Sequence, residues 1–172
     1  GYLNNQEATN KCIDKDGWFR TGDVATVDKD VKFKFNQQLK YYKICFIGYF
    51  YVIDRVKELI KYKGHQVAPA ELESLLLTHP AIADAAVIGI YSEKEATELP
   101  CAYVVPQGQG PTIKLEQEIL QFVASKANNS QKLRGGVVFV DKIPKSLSGK
   151  ILRRMLRAGI GFKMLTLEKA RL

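Results

Sequence analysis

The order of apolar patterns in the second half of the chain limits the possible folds most strongly. VAPAELESLLL places Leu72, Leu75 and Leu76 at helical spacing, after a proline at residue 69 that suits a first helical turn. Two β-rich runs follow, ADAAVIGIYS and ELPCAYVVPQ, joined by a charged loop. The pattern then predicts a second helix, a short strand and a final helix. This order predicts an α+β fold: a small mixed domain with a short central sheet packed by helices.

The bounds of these elements are predicted from local signals. The first helix is expected to stop at His79-Pro80, the strand to lie in GGVVFVDKIP, and the last helix to cover GKILRRMLRA. The second helix lies in TIKLEQEILQFVASKA. Its predicted apolar face consists of Ile113, Leu115, Ile119, Leu120 and Val123.

Composition excludes several classes of protein. No apolar run approaches the roughly 18 residues that a membrane span needs, and no basic-then-apolar leader follows Gly1, so we expect a soluble protein without a secretion signal. Cys12, Cys45 and Cys101 are widely spaced, and the chain has only two histidines. Neither a disulfide framework nor a zinc site is therefore expected, and the thiols are interpreted as buried or incidental.

The net charge of +8 suggests a polyanionic partner, but half of it comes from one segment. Residues 31–47, VKFKFNQQLKYYKICFI, carry four lysines and no acid. On either side, VDKD and GYFYVIDR would form a hairpin with Asp-Gly at its turn if they were joined directly. The segment is therefore interpreted as an insertion in a hairpin.

Three hypotheses explain the insertion. It is a surface loop grown from a turn, which costs little because loop-closure entropy rises slowly with length. Alternatively, it is a translated segment that splicing should have removed, since the flanking sequence continues cleanly in frame. The third hypothesis is a basic, aromatic-rich surface that binds nucleic acid.

A second basic cluster lies in DRVKELIKYKGHQ, residues 54–66. A helix would place Lys57 and Lys61 on one face, whereas a strand and turn would place Lys61 and Lys63 together. Gly64 would allow backbone amides to approach a phosphate in either case, so the cluster suits a phosphorylated ligand. The alternative is a solvated basic face. A further lysine, Lys150, follows a Ser-Gly turn in PKSLSGKILRR, which lacks the spacing of a P-loop.

Three stretches resemble, in order, motifs of the adenylate-forming superfamily: GWFRTGD, YVIDRVKELIKYKGHQVAPAELE and PKSLSGKILRR. The middle stretch is similar to 4-coumarate–CoA ligases and beetle luciferases, and GYLNNQEAT and LRGGVVFVD also look like that family. The resemblance implies three parts: the end of a large adenylation domain at 1–56, a small mobile C-terminal domain at 57–158, and a tail at 159–172.

The resemblance also implies roles for eight residues. Asp23 and Arg55 match positions that bind ATP or AMP, and Lys57 matches the hinge between the two domains and contributes to the acyl-adenylate site. Lys61 and Gln66 match positions that line the acyl-adenylate, Lys61 being also catalytic. Lys63 and Gly64 match positions that meet coenzyme A. Lys150 matches the catalytic lysine that reaches the α-phosphate during adenylation.

The implied activity is that of an ATP-dependent carboxylic acid–CoA ligase with ATP, Mg²⁺ and coenzyme A. The phosphate-cradling loop and acyl pocket of the family do not occur in this sequence, so we expect a fragment that needs an N-terminal adenylation domain and is inactive alone. The insertion separates Asp23 from Arg55, which can share one ribose only if the extra residues bulge outward.

Alternatives to a working ligase part stay open. They are a catalytically inert remnant, a luciferase-like oxygenase fragment and a basic nucleic-acid-binding module, the last resting only on charge. Ala170–Leu172, ARL, fits the small-basic-Leu form of a peroxisomal signal, which predicts a peroxisomal location, with the cytoplasm as the alternative.

Overall fold

The computed structural model describes residues 1–27, 50–108 and 110–166. Contacts divide the chain into two compact units, Gly1–Lys57 and Glu58–Leu172. The insertion at 31–47 and the tripeptide Ala170–Leu172 lie outside the described residues, so the hypotheses about them stay predictions. Among the helices of the described ranges, none has the length and hydrophobicity needed to cross a membrane.

Within residues 1–27 and 50–57, the first unit contains one helix and one strand pair. Helix α1 (Gln6–Cys12) begins after Asn5, whose side chain accepts a hydrogen bond from the Ala8 N–H. Strands β1 (Asp23–Val27) and β2 (Phe50–Arg55) pair in antiparallel fashion, with an irregularity between Val24 and Ala25. The predicted pairing across the insertion is confirmed.

The second unit has the predicted order of helices and strands, preceded by a short hairpin. Its elements are β3 (Ile60–Tyr62), β4 (His65–Val67), α2 (Pro69–Leu76), β5 (Ile82–Ser92), β6 (Thr97–Pro106), α3 (Ile113–Lys126), β7 (Val137–Phe139) and α4 (Arg153–Ala158). Strands β5, β6 and β7 form one sheet in that order. β5 and β6 pair antiparallel, and β7 runs parallel to β6 because α3 carries the chain back across the sheet.

Both faces of this sheet are buried, because successive side chains of a strand point to opposite faces. On β5, Val87 packs into a cluster with Leu72, Leu76 and Ile119 of the helices α2 and α3. The next residue, Ile88, packs into a second cluster that contains Leu156 of α4. The near-continuous apolar runs of β5 and β6 therefore fit a sheet that is covered on each side.

Cys101 belongs to the second cluster and is fully buried. Burial raises the pKa of its thiol to about 12, so it stays protonated and uncharged at neutral pH. Its interpretation as a packing residue is confirmed, whereas Cys45 lies outside the described residues.

Three details of the sequence interpretation were wrong. Ile113 is 46% exposed because, at 100° per residue, it lies on the side of α3 opposite Leu115 and Ile119. Helix α2 ends at Leu76, before the predicted His79-Pro80. The last helix starts at Arg153 and excludes Gly149 and Lys150, because Ile151 forms a β-bridge with Lys145 and keeps that backbone extended.

Candidate functional site

The basic cluster at residues 60–67 folds as a hairpin, so the strand-and-turn interpretation is confirmed and the helical one was wrong. Lys61 pairs with Gln66, and Tyr62 pairs with His65. The two turn residues, Lys63 and Gly64, have φ angles of 43° and 82°. Two consecutive positive φ values define a type I′ turn, which matches the twist of a tight hairpin.

A groove of about 510 Å³ lies beside this hairpin. Four of the residues predicted to bind ligand line it: Lys61, Lys63, Gly64 and Gln66. Five further lining residues were not predicted from the sequence: His65, Tyr91, Ala96, Thr97 and Glu98. Three of these five come from the end of the β5–β6 loop and the start of β6.

Hydrogen bonds attach the hairpin to β6. The Lys63 N–H donates to Thr97 Oγ1 at 2.8 Å, and the same hydroxyl donates to the Lys61 carbonyl at 2.8 Å. The Lys61 N–H donates to Glu98 Oε2 at 2.7 Å. These side chains replace the backbone partners that an edge strand lacks, so the cationic turn is fixed relative to the core.

The groove carries both signs of charge. Lys63 Nζ lies 2.8 Å from Glu95 Oε2. The hydrogen bond to Glu95 and its negative charge raise the pKa of Lys63 above its ordinary value, and the same contact lowers the pKa of Glu95. Lys63 therefore stays protonated across the neutral range. The guanidinium of Arg134 lies 4.7 Å from the centre of the Tyr62 ring.

Lys150 lies on a tight turn formed by residues 145–151, here called the Lys150 turn. The Ser146 N–H donates to the Lys150 carbonyl at 2.9 Å, and the Gly149 N–H donates to the Ser146 carbonyl at 2.9 Å. Gly149 has a φ of 80°, which glycine adopts readily. The Lys150 side chain is exposed, and no carboxylate of the described residues forms an ion pair with it. Its ammonium is thus available to a ligand.

Ion pairs lie at both ends of the Lys150 turn. Before it, Lys145 Nζ lies 2.6 Å from Asp84 Oδ2. After it, Arg153 pairs with Glu73 at 2.8 Å, and both of these side chains are largely buried. The Lys150 turn is therefore exposed at its centre, while the residues at its two ends contact α2 and β5.

Asp23, Arg55 and Lys57 belong to the first unit. Asp23 and Arg55 are direct partners in the β1–β2 register, and Arg55 Nε lies 3.8 Å from Asp23 Oδ1. The two residues thus remain opposite each other although the insertion separates them in sequence. Lys57 is exposed in the 3₁₀ turn Val56–Glu58, directly before the division between the units.

Within the described ranges, no group of three or more His, Cys, Asp or Glu side chains could hold a metal ion. The groove offers the lysines Lys61 and Lys63, the backbone of Gly64 and the side chains of Gln66 and Thr97, with Glu98 as an acid beside them. The lysines suit anionic ligands such as phosphates and carboxylates.

Comparison with known proteins gives consistent results. Residues 71–150 match the family model of the AMP-binding enzyme C-terminal domain. Luciferin 4-monooxygenase of Photinus pyralis is 50% identical over 157 residues, which cover 91% of this chain and 25% of that protein. 4-coumarate–CoA ligase 1 of Oryza sativa subsp. japonica is 48% identical over 157 residues, covering 91% and 24%. The chain thus spans about a quarter of the length of the curated relatives it matches.

Solved structures show the same fold. The structure of ATP-bound MatB from Rhodopseudomonas palustris matches with a TM-score of 0.73 and 28% identity, over 92% of this chain and 27% of that one. The anthranilate CoA ligase AuaEII in complex with anthranoyl-AMP matches with a TM-score of 0.72 and 29% identity, over 92% and 27%.

Proposed function

We propose the role of this chain from two likenesses: residues 71–150 match the family model of the AMP-binding enzyme C-terminal domain, and 91% of the chain aligns with luciferin 4-monooxygenase and with 4-coumarate–CoA ligase 1. It is the C-terminal part of an ATP-dependent carboxylic acid–CoA ligase. The observation that carries the proposal is the exposed ammonium of Lys150 on a tight turn with a fixed base.

In the first half-reaction, a carboxylate oxygen of the acid attacks the α-phosphorus of ATP. A bond forms between these atoms, the bond from the α-phosphorus to the bridging oxygen breaks, and pyrophosphate leaves with that electron pair. Negative charge grows on the phosphoryl oxygens, and the Lys150 ammonium stabilises it inside a closed site. Asp23 accepts hydrogen bonds from the ribose hydroxyls, and Arg55 beside it contacts the nucleotide.

In the second half-reaction, the sulfur of coenzyme A attacks the acyl carbonyl carbon of the adenylate. The carbon–sulfur bond forms, the carbon–oxygen bond to AMP breaks, AMP leaves as an anion and the thiol proton passes to solvent. Lys63 and Gly64 meet coenzyme A on the turn, while Lys61 and Gln66 face the acyl-adenylate from the paired strands. All four residues line one groove, which supports this assignment.

Lys57 is the proposed hinge, because it lies in a short exposed turn directly before the division between the two units. Under this proposal residues 1–56 end the large domain, residues 57–158 are the mobile domain and residues 159–172 are a tail. In this proposal the mobile domain rotates about the hinge after acyl-AMP has formed. The rotation would withdraw Lys150 from the reacting groups and bring the Lys63–Gly64 turn to them, so that the two half-reactions occur in sequence.

Mg²⁺ belongs to this proposal as a counterion of the ATP triphosphate. Hard divalent magnesium is commonly bound through substrate phosphates with few protein ligands.

The test compares the chain alone with an assembled ligase, meaning this chain combined with the large N-terminal domain of a related ligase. The chain alone is expected to release no pyrophosphate from ATP and any carboxylic acid, because the phosphate-cradling loop is absent from its sequence. The assembled ligase is expected to form both acyl-AMP and thioester, measured as pyrophosphate release and by mass spectrometry. Pyrophosphate release by the chain alone would contradict the first statement. An assembled ligase that folds but forms neither product would favour the inert remnant.

A luciferase-like oxygenase is the second candidate, because the identity to luciferin 4-monooxygenase (50%) is as high as the identity to 4-coumarate–CoA ligase 1 (48%). Both would share the adenylation step. Light emission from the assembled enzyme with luciferin, ATP and oxygen, but no thioester formation, would favour the oxygenase.

We also propose a peroxisomal location, supported by the Ala-Arg-Leu tripeptide at residues 170–172. A fluorescent protein carrying residues 159–172 at its C-terminus is expected in peroxisomes, and removal of the tripeptide should leave it in the cytoplasm. A diffuse signal from both fusions would refute the proposal.

A further inference from the structure

A buried ion pair joins three elements beside the Lys150 turn. Arg153 of α4 donates from one guanidinium nitrogen to both carboxylate oxygens of Glu73 in α2, each at 2.8 Å. The Val87 N–H of β5 donates to Glu73 Oε1 at 2.9 Å, and Arg153 Nε lies 3.4 Å from the Val87 carbonyl oxygen. The side chains of Arg153 and Glu73 are only 13% and 10% exposed.

This pair holds the N-terminus of α4, which has little stabilisation from the helix itself. α4 is only six residues long, and Leu152 before it provides no side-chain cap. Its first two residues are arginines, and positive charge is unfavourable at a helix N-terminus. The Glu73 carboxylate compensates one of these charges and orients the Arg153 guanidinium through two bonds.

A second pair holds the other end of the Lys150 turn. Lys145 Nζ contacts Asp84 near the start of β5, where the register with β6 is irregular. Between these anchors, residues 146–150 contact each other through local hydrogen bonds, and Leu147 is fully exposed. These two ion pairs join the turn to α2 and β5, in addition to the packing of Ile151 against the second cluster.

Stability alone does not explain a buried pair at this place. A buried ion pair is often no more stabilising than well-packed apolar side chains of similar volume, because desolvation offsets the attraction. What this pair adds is a fixed mutual geometry, since both side chains also contact the backbone of Val87: its N–H donates to Glu73, and its carbonyl oxygen lies 3.4 Å from Arg153 Nε.

We propose that Glu73 and Arg153 are positioning residues for Lys150: their buried ion pair, with the Lys145–Asp84 pair, sets where the lysine tip lies. The proposal rests on the adenylation role of Lys150 given above. It assigns neither Glu73 nor Arg153 any contact with substrate.

The first experiment uses the 172-residue chain and an endoproteinase that cleaves only after lysine. The variants are Arg153→Met, which leaves the Glu73 charge buried, and the double variant Glu73→Gln/Arg153→Met, which removes both charges and keeps an acceptor for the Val87 N–H. Cleavage after Lys150 is measured relative to cleavage after Lys61 in strand β3, where the neighbours Ile60 and Tyr62 are buried and cleavage therefore requires wider unfolding. Each rate is divided by that of the same variant unfolded in urea.

The double variant is expected to recover most of the thermal stability that Arg153→Met loses. The ratio of cleavage after Lys150 to cleavage at the reference lysine is nevertheless expected to be about tenfold higher in both variants than in the wild type. Without the ion pair, the Lys150 turn can open locally while the rest of the domain stays folded. Ile119→Ala, in the core under α3, is the control: it should raise cleavage at both lysines together. If the double variant is stable and Lys150 is as protected as in the wild type, the positioning role is wrong.

The second experiment separates the half-reactions in the assembled ligase. The double variant is expected to lower the rate of acyl-AMP formation about 10²-fold, as a misplaced catalytic group does. Thioester formation from supplied acyl-AMP and coenzyme A should be unchanged, which a general loss of structure would not produce. If the double variant does not fold, Asp84→Asn replaces it, because that pair is partly exposed and its loss is tolerated more easily.

The outcomes distinguish the two proposals. If Lys150→Ala leaves acyl-AMP formation unchanged, the adenylation role fails, and the cleavage result still decides whether the ion pair holds the turn. If Lys150→Ala is strongly impaired while the double variant adenylates like the wild type, the positioning role alone is overturned.

Discussion

Replacing Lys150 with alanine is expected to slow acyl-AMP formation in the assembled ligase by roughly 10²–10³. The reason is that one compact positive charge meets the negative charge that develops on the phosphoryl oxygens in the transition state. The hydrogen bonds of Lys150 within its turn involve only backbone atoms of this residue, so alanine preserves them. The measurement is pyrophosphate release with ATP and acid, with binding of ATP determined in parallel.

Lys142→Ala is the matched control, because Lys142 is also an exposed lysine on the same segment but lies before the Lys150 turn. It should leave pyrophosphate release unchanged. Thioester formation from supplied acyl-AMP should be close to normal in both variants, since this step uses the Lys63–Gly64 turn. Equal rates of acyl-AMP formation for Lys150→Ala and the wild type would remove the central assignment.

The order of helices and strands could be predicted because each element of the second unit carries its own period. The spacing of Leu72 and Leu76 predicts α2, and the long apolar runs predict β5 and β6, which are buried on both faces of the sheet. Ile113 was misassigned because its apolar character fitted the segment while its angular position did not. Whether a residue is buried depends on its hydrophobicity and on its angular position around the helix. Near a helix end the angular position is easily overlooked.

The site could be predicted only where its residues are close in sequence. Lys61, Lys63, Gly64 and Gln66 lie within one hairpin, and the strand interpretation already placed the first two together. Thr97 lies 36 residues from Lys61, to which it donates a hydrogen bond. No local pattern in the sequence indicates that contact. It arises because β6 and the hairpin are brought together by the folded core.

The same limit applies to charge. The sequence showed cations at residues 55–63 and left a solvated basic face as the alternative. The structure adds Glu95, which pairs with Lys63 across more than thirty residues of sequence, and Glu73, which lies eighty residues from Arg153. A segment with four cations and one acid is thus partly balanced by an acid from elsewhere in the chain, and its net charge alone is a poor guide to its ligand.

Gly64→Val is expected to impair the second half-reaction selectively, lowering thioester formation from supplied acyl-AMP about 10²-fold. Gly64 has a φ of 82°, and a Cβ built there meets nothing within 4 Å. The strain is therefore conformational: a β-branched residue disfavours this backbone and would shift the turn that holds Lys63.

Gly136→Val is its matched control, since Gly136 has a φ of 84° with equally open surroundings but does not line the groove. Both variants carry similar backbone strain, so both should lose similar stability in thermal unfolding. Only Gly64→Val should slow thioester formation, and neither should slow acyl-AMP formation. If both variants slow thioester formation equally, the effect comes from strain in the domain, and the assignment of the Lys63–Gly64 turn to coenzyme A is wrong. If Gly64→Val loses only thioester formation and Lys150→Ala loses only acyl-AMP formation, two separate surfaces of this chain serve the two half-reactions.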